Sequence, residues 1–186
     1  MVNRNIFAAL VHYPVYNKKG DIVATSVTTL DVHDTARISK TYDLGGIYLV
    51  TPLEAHRQLI DRLFGHWVDG HGAEYNPTRK EAFHKLSVAD SIEGAIAAIE
   101  KEIGKRPKVI ATGAKSNRGS IDYDAGRRLV NDGDPYLILF GTGWGLTSEV
   151  MSKVDYILDP IDVGTGYNHL PVRAAFAIIF DRILGR

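Results

Sequence analysis

The segment Pro135–Met151 joins an apolar run to a glycine-rich turn, a combination that can form a ligand site. The run from Tyr136 to Phe140 predicts a buried strand, and Gly141, Gly143 and Gly145 follow it at alternate positions. Glycines let backbone N–H and C=O groups come close to a ligand above the sheet, at the carboxyl end of a strand. The spacing is neither the dinucleotide fingerprint nor a phosphate-binding P-loop. The turn therefore predicts a site only together with its neighbouring loops.

A second loop near the C-terminus is expected to lie beside this turn. Residues 158–173 follow another predicted strand, and parallel strands bring their carboxyl ends to one edge of the sheet. The two loops contain Trp144 and Tyr167 and few charges. They suit a ligand that is held by main-chain hydrogen bonds, such as an adenine ring, better than they suit a triphosphate.

Predicted strands and helices alternate along the whole chain. Strands are expected at 6–12, 47–50, 84–88, 107–112, 136–140 and 155–161, and helices at 32–44, 53–64, 92–103, 122–131 and 171–184. Thr51–Glu54 has the pattern of a capping box, and Asp90 is expected to cap the third helix, which should end at Gly104. The polar residues Thr147–Glu149 suit the first turn of a further helix. This alternation indicates an α/β fold with a mostly parallel sheet and helices on both faces. No linker is visible, so one domain is expected over residues 1–186.

Composition excludes several classes of protein. Lys plus Arg and Asp plus Glu number 22 each, so contact with a polyanion would need local patches. With no cysteine, the chain has no disulfide, thiolate metal site or cysteine nucleophile. The longest apolar stretch, 174–180, is far too short to span a bilayer, and no signal segment is apparent. A cytoplasmic protein without a membrane segment is expected.

Several segments resemble the α/β-knot (SPOUT) RNA methyltransferases. The resemblance is carried by FGTGWGL at 140–146 and YNHLPVRAAFAI at 167–178. DVHDTARISKTYDLGGIYLVTPL at 31–53 and HW.DG.G.EYNPTR at 66–79 are similar to small bacterial members that are described as S-adenosylmethionine-dependent. The resemblance, from about Asn5 to Arg182, implies a Rossmann-like sheet with a C-terminal deep trefoil knot, against the general rule on threaded chains. It also implies a homodimer that acts on tRNA or rRNA.

The same resemblance implies that S-adenosyl-L-methionine binds in the knot, held by the backbone of three loops. These loops are 111–115, 141–146 and 158–170. The residues expected to contact the cofactor are Thr112, Gly113, Ala114, Phe140, Gly141, Thr142, Gly143, Trp144, Gly145, Leu146, Leu158, Pro160, Ile161, Tyr167, Asn168, His169, Leu170 and Val172. Trp144 is interpreted as packing against the cofactor loop rather than stacking on a base.

Three residues are candidate catalytic groups. Arg37 lies where knotted ribose methyltransferases place an arginine; because a guanidinium stays protonated, it is expected to hold a phosphate or orient the acceptor. The alternative is an ordinary exposed helix arginine. His169 is a candidate base or hydrogen-bond donor, or a plain loop histidine. Asn168 contacts the cofactor or acceptor, or only forms a turn.

The sequence leaves two candidate acceptor atoms for the methyl group. Ribose-methylating relatives often carry a glutamate in the glycine loop, where this chain has Gly143 and Trp144. A ribose 2′-oxygen is favoured, with a base nitrogen as the alternative. A nucleotide- or nicotinamide-dependent enzyme and a non-catalytic RNA-binding module with the same knot are the other readings.

The segment Gly65–Arg79 is predicted to be a long loop, because it is rich in glycine and aromatic residues. Its histidines and carboxylates match no zinc spacing, so no metal is expected. It is interpreted as a lid or RNA-contacting flap that uses Arg79 and Lys80, or as packing at a dimer interface. Further candidate phosphate contacts are Lys115 with Arg118, Arg127 with Arg128, and the Lys101–Lys108 cluster.

Overall fold

A parallel sheet forms the centre of the protein, whose computed structural model describes residues 5–115 and 119–185. Its strands are β1 (Ile6–Val11), β4 (Gly46–Val50), β5 (Leu86–Ala89), β6 (Lys108–Ala111), β7 (Tyr136–Gly141) and β8 (Tyr156–Ile157). They form a six-stranded sheet in the order β5-β4-β1-β7-β6-β8, and all neighbours are parallel. A separate antiparallel hairpin consists of β2 (Val15–Tyr16) and β3 (Ile22–Val23). The predicted mostly parallel sheet is confirmed.

Helices cover both faces of the sheet, as predicted. They are α1 (Thr29–Thr41), α2 (Glu54–Phe64), α3 (His71–Tyr75), α4 (Pro77–Phe83), α5 (Ile92–Ile103), α6 (Tyr123–Val130), α7 (Ser148–Lys153) and α8 (Val172–Leu184). Alternate β1 side chains enter two separate cores, as expected for a strand buried on both sides. Helices α1, α2, α4, α6 and α8 share one core, and α5 and α7 pack into the other.

A cluster of phenylalanines fixes α8 to the sheet. Phe140 of β7 lies 4.6 Å from Phe176 and 5.7 Å from Phe180, measured between ring centroids. All three side chains are almost completely buried. Burying such a side chain contributes about 1.5–3 kcal/mol, so this contact holds the start of α8, and the loop before it, over the end of β7.

The N-terminal caps predicted at Thr51 and Asp90 are wrong, whereas the predicted end of α5 is confirmed. Ser91, not Asp90, caps α5 by accepting a hydrogen bond from the Gly94 N–H at 3.0 Å. The Asp90 carboxylate instead contacts Arg57 at 2.7 Å. The predicted capping box at Thr51 is also wrong, because this buried hydroxyl bonds the His56 ring and Leu53 precedes α2. The C-terminal stop of α5 at Gly104, with φ +79°, is the expected one.

The predicted loop at Gly65–Arg79 is wrong, because this segment is helical. A π-helix (Gly65–Asp69) continues α2, and α3 and α4 follow. Trp67 lies at the centre, with the Arg79 guanidinium 4.7 Å from its ring and His33 of α1 at 5.2 Å. Stacking among these side chains fixes the segment, so it is a packed insert on α1 rather than an open flap.

The connections reverse direction between β1 and β7. From β1 the chain builds outward through β4 and β5, whereas β7, β6 and β8 lie on the other side. Open α/β sheets bind ligands at the carboxyl ends of the strands at such a switch point. The glycine turn begins there. The threading of the C-terminal segment through an earlier loop stays a prediction.

Candidate functional site

The glycine turn after β7 is attached to the β2–β3 hairpin. The Trp144 N–H donates to the Tyr16 carbonyl oxygen at 2.9 Å, and the Gly145 carbonyl oxygen accepts from the Tyr16 N–H at 2.9 Å. Gly143 has φ +58°, and a Cβ there would lie 2.9 Å from the same Tyr16 oxygen. Two backbone groups of the turn that were expected to be free for a ligand therefore bond to the hairpin instead. No local sequence pattern indicates a role for Tyr16, because its partners Trp144 and Gly145 lie far along the chain.

A hydroxyl pair joins the turn to the centre of the sheet. The Thr142 hydroxyl lies 2.5 Å from the Thr25 hydroxyl and donates to the Val11 carbonyl oxygen at 2.9 Å. The Thr25 hydroxyl is also 3.2 Å from Nδ1 of His12, directly after β1. His12 is 1% exposed, and its Nε2 has no hydrogen-bond partner within residues 5–115 and 119–185. Thr25 and His12 were not predicted as site residues, because no sequence motif marks them.

Burial lowers the pKa of His12 to about 4, although Asp31 opposes this shift. The unfolded chain takes up this proton near pH 6.5, whereas the folded protein takes it up only near pH 4. The stabilisation is therefore complete above about pH 6.5 and is lost as the pH falls towards 4. His12→Asn removes the titration and can keep a hydrogen bond to Thr25. Between pH 7 and 4.5 we expect the wild type to lose about 2 kcal/mol more unfolding free energy than this variant, measured by urea unfolding; equal losses would contradict the assignment.

The three loops expected to hold a ligand lie side by side at the carboxyl edge. They follow β6, β7 and β8, which are adjacent in the sheet. The Asn168 side-chain amide donates to the Ala114 carbonyl oxygen, which links loop 158–170 to loop 111–115. The Thr112 N–H and hydroxyl both donate to the Leu139 carbonyl oxygen, at 3.1 and 2.9 Å. Loop 111–115 is thereby tied to the strand that leads into the glycine turn.

The glycines of these loops leave an open space above the edge. A Cβ built on Gly113, Gly145, Gly164 or Gly166 would meet no atom within 4 Å. In contrast, a Cβ on Gly141 would lie 2.8 Å from the Leu146 nitrogen. The turn is thus closely packed at Gly141 and open at Gly145. We refer to the edge bounded by loops 111–115, 141–146 and 158–170 as the cradle.

The predicted cofactor residues divide into core and exposed side chains. Phe140, Leu146 and Leu158 are buried in the cores, so only their backbone can face a ligand. Pro160, Ile161 and Val172 are half-buried. Tyr167 and Leu170 are exposed. Trp144 is 60% exposed, so most of its surface is not packed against the protein. The flanking glycines hold its backbone close to the hairpin and leave the ring outside.

The candidate catalytic residues occupy two neighbouring places. Arg37 is exposed on α1 and lines an open groove of about 520 Å³ between α1 and the start of α8. Pro171 lines the same groove, so the groove reaches the end of loop 158–170. His169 is exposed in that loop and packs edge-on against Tyr167 at 5.5 Å. Asn168 serves the loop contact with Ala114.

The acidic side chains closest to Arg37 on α1 pair with another arginine. Nε of Arg173 lies 3.7 Å from Asp31 and 3.6 Å from Asp34, so the two acids on α1 face Arg173. In the part of the chain that the structure describes, no carboxylate lies within 4.0 Å of the Arg37 guanidinium. Arg37 is therefore available to an anionic ligand.

Several residues of the other basic clusters already contact groups of the protein itself. Lys108 pairs with Asp134 at 2.8 Å, and Lys105 contacts the same carboxylate. Arg127 donates to backbone carbonyl groups at the end of α8. Arg118 lies outside the described residues.

Within the described ranges, no group of three or more histidine, aspartate or glutamate side chains is placed to hold a metal ion. No helix there is long and apolar enough to cross a bilayer.

Comparison with known proteins identifies a family and relatives. A family described as "SAM-dependent RNA methyltransferase" matches residues 5–185. The chain is 48% identical over 182 residues to a "tRNA (guanine-N(1)-)-methyltransferase" of Oleidesulfovibrio alaskensis, covering 98% of this chain but only 42% of that protein. It is 41% identical to an uncharacterized protein of Aquifex aeolicus, over 100% of this chain and 91% of the relative. The chain thus spans less than half of the longer relative.

Solved structures share the fold at low sequence identity. A methylase-family protein of Neisseria gonorrhoeae aligns with a TM-score of 0.65 at 15% identity, over 98% of this chain and 82% of the other. A structure concerned with "2-OH methylation of C/U34 on tRNA" aligns at 0.56 and 17%, over 97% of both chains. The Aquifex aeolicus "TrmH/SpoU tRNA modifying enzyme" aligns at 0.55 and 13%, over 98% and 79%. These matches show that the chain shares its fold with these proteins.

Proposed function

This chain belongs to the family of S-adenosylmethionine-dependent RNA methyltransferases, and we propose that it methylates a ribose 2′-oxygen in tRNA or rRNA. The main support is the cradle at the carboxyl edge, where the Asn168–Ala114 contact joins two loops beside the glycine turn. The glycine turn, which borders the cradle, lies at the switch point of the sheet, where such folds bind ligands. The nucleotide- or nicotinamide-dependent alternative has no support in the family match.

The cradle fits a cofactor that is held by main-chain groups. Its open face is formed by glycines whose missing side chains leave free space, and Gly145 has φ +99°. In this proposal the backbone of loops 111–115, 141–146 and 158–170 holds S-adenosyl-L-methionine. The cofactor supplies an electrophilic methyl group on a positively charged sulfonium. After the transfer, the sulfur leaves as an uncharged thioether. The protein therefore needs to align the acceptor and exclude water rather than to stabilise a charged leaving group.

Arg37 and His169 are proposed to act on the RNA. Arg37, which has no acidic partner in the described chain, would hold a phosphate next to the acceptor, because its planar fork matches phosphate geometry. His169 would accept the proton of the 2′-hydroxyl as the methyl group arrives. Asn168 would keep the two cofactor loops together through its contact with Ala114. The position of the groove, between Arg37 and the end of loop 158–170, supports this division of roles.

We also propose that the protein is a cytoplasmic homodimer and that residues 1–186 form one methyltransferase domain. The groove between α1 and α8 is an open surface that a second copy could cover, which would bring Arg37 near the partner's cradle. The near full-length match to the Aquifex aeolicus protein supports one domain. Light scattering at micromolar concentration tests the dimer; a mass of one chain would contradict it.

A guanine N1 atom is the second candidate acceptor. It is favoured by the names of the 48% and 47% identical relatives, tRNA (guanine-N(1)-)-methyltransferases. The chain matches only 42% of each relative, so the named activity can reside in the part that this chain does not match. For this reason we place the ribose first.

Methyl transfer to RNA tests the proposal. We expect purified protein to transfer labelled methyl groups from S-adenosyl-L-methionine to total RNA from a strain that lacks the gene. Digestion to nucleosides and mass spectrometry should give a 2′-O-methylated nucleoside. A 1-methylguanosine product would favour the second acceptor, and no transfer to any RNA would contradict the proposal.

A further inference from the structure

Trp144 is presented to solvent by a rigid backbone. Its ring is 60% exposed, and within residues 5–115 and 119–185 it has no aromatic, cationic or hydrogen-bonding partner. The backbone N–H of Trp144, in contrast to its ring, donates to the Tyr16 carbonyl oxygen. The Tyr16 hydroxyl is in turn 3.0 Å from the Ser148 hydroxyl at the start of α7. The backbone under the ring is thus fixed from two sides.

The sequence neighbours of Trp144 restrict its position further. Gly143 and Gly145 both have positive φ, and no side chain larger than hydrogen fits between Gly143 and the Tyr16 carbonyl. A single exposed apolar residue is ordinary on a protein surface. Trp144 differs from such a residue because it lies in the turn that borders the cofactor cradle and its backbone is held in place. Its backbone is already ordered, so a flat ligand that stacks on the ring has to fix only the two side-chain torsions.

We infer that Trp144 is a stacking platform for a base of the RNA substrate, at or next to the methylated nucleotide. This inference rests on the proposed function. The acceptor atom must reach the methyl group in the cradle, so the target nucleotide has to leave any stacked helix. Aromatic side chains commonly receive bases that are exposed in this way, because every base has a π-face. Trp144 lies on the same turn as the cradle, where such a base would arrive.

Substitutions of Trp144 test the platform directly. We expect Trp144→Ala and Trp144→Leu to weaken binding of total RNA from the gene-deletion strain by about 5- to 150-fold, the range of one base stack. Leucine keeps apolar bulk but has no ring, so it is the matched control for hydrophobicity. Trp144→Phe should bind close to wild type. The slope of log affinity against log salt should be the same in all variants, because stacking removes no phosphate contact.

Tryptophan fluorescence gives an independent readout. The chain has two tryptophans, and Trp67→Phe leaves Trp144 as the only one. The emission of Trp144 should be that of a solvated indole in the free protein, and RNA should quench it. A blue-shifted emission that moves to the red when the protein is diluted would mean that a second copy covers Trp144, and would overturn the inference. So would unchanged RNA affinity in Trp144→Leu.

Parallel measurements separate this inference from the proposed function. Cofactor titration and labelled methyl transfer are run on the wild type and on Trp144→Leu. If the wild type neither binds the cofactor nor transfers methyl groups, the proposed function fails. If the wild type does both, and Trp144→Leu has wild-type RNA affinity, only the stacking role fails.

Discussion

Replacing Gly143 with valine should weaken S-adenosyl-L-methionine binding by at least about 100-fold, the cost of a misplaced binding group. Gly143 has φ +58°, where a β-branched residue is strained, and a Cβ would lie 2.9 Å from the Tyr16 carbonyl oxygen and 3.0 Å from Thr25. The left-handed backbone alone costs about 1–2 kcal/mol. Because the overlap is with backbone, the turn must leave the hairpin and disturb the cradle. Calorimetric titration and the cofactor-induced rise in Tm measure the loss.

A matched substitution separates this effect from general strain. Gly133 also has positive φ, +92°, but a Cβ there meets nothing within 4 Å, and it lies before β7 at the opposite edge. Gly133→Val should lower Tm and keep cofactor affinity. A Gly143→Val protein that binds the cofactor as well as the wild type would show that the turn is not part of the site.

Replacing Arg37 with alanine should lower kcat/KM for methyl transfer by about 100- to 1,000-fold, the usual loss when one charged hydrogen-bond donor is removed from an active site. Cofactor affinity should stay near the wild-type value, because Arg37 lies in the groove and not in the cradle loops. The substitution should leave unfolding free energy within about 0.5 kcal/mol, since the side chain is exposed. Steady-state transfer of labelled methyl groups measures the effect.

Two further variants define what Arg37 contributes. Arg37→Lys keeps the charge but not the planar fork, so an intermediate rate is expected. Arg62→Ala removes another exposed helix arginine, which bonds the Gln58 carbonyl oxygen in its own helix, and should transfer at the wild-type rate. If Arg37→Ala also works at the wild-type rate, Arg37 is an ordinary surface residue, as the alternative interpretation holds.

Local patterns were sufficient to predict the sheet and the glycine turn. The apolar run from Tyr136 to Phe140 became the buried strand β7, and the Thr147 hydroxyl caps α7 by accepting from the Val150 N–H. Glycine at Gly104 ended α5 as expected. Each of these signals depends on residues a few positions apart, so the sequence contains the whole interaction. The family resemblance supplied what periodicity cannot, the cofactor and the RNA substrate.

Long-range packing explains what the sequence analysis missed. The aromatic and glycine-rich composition of 65–79 is typical of a loop, but contacts of Trp67 with α1 and Arg79 make it helical. Asn76 before Pro77 was a usable signal for α4, because the Asn76 side chain accepts from the Arg79 N–H at 3.1 Å. The contact between Thr25 and Thr142 joins positions that are distant in the chain. No local pattern contains it.

Calorimetric titration of S-adenosyl-L-methionine into the wild-type protein tests most directly whether the carboxyl edge is a methyl-donor site. We expect saturable binding at one site per chain, with binding lost in Gly143→Val and retained in Gly133→Val. Absence of binding at millimolar cofactor, or equal binding by both valine variants, would contradict a cofactor site built from the glycine turn.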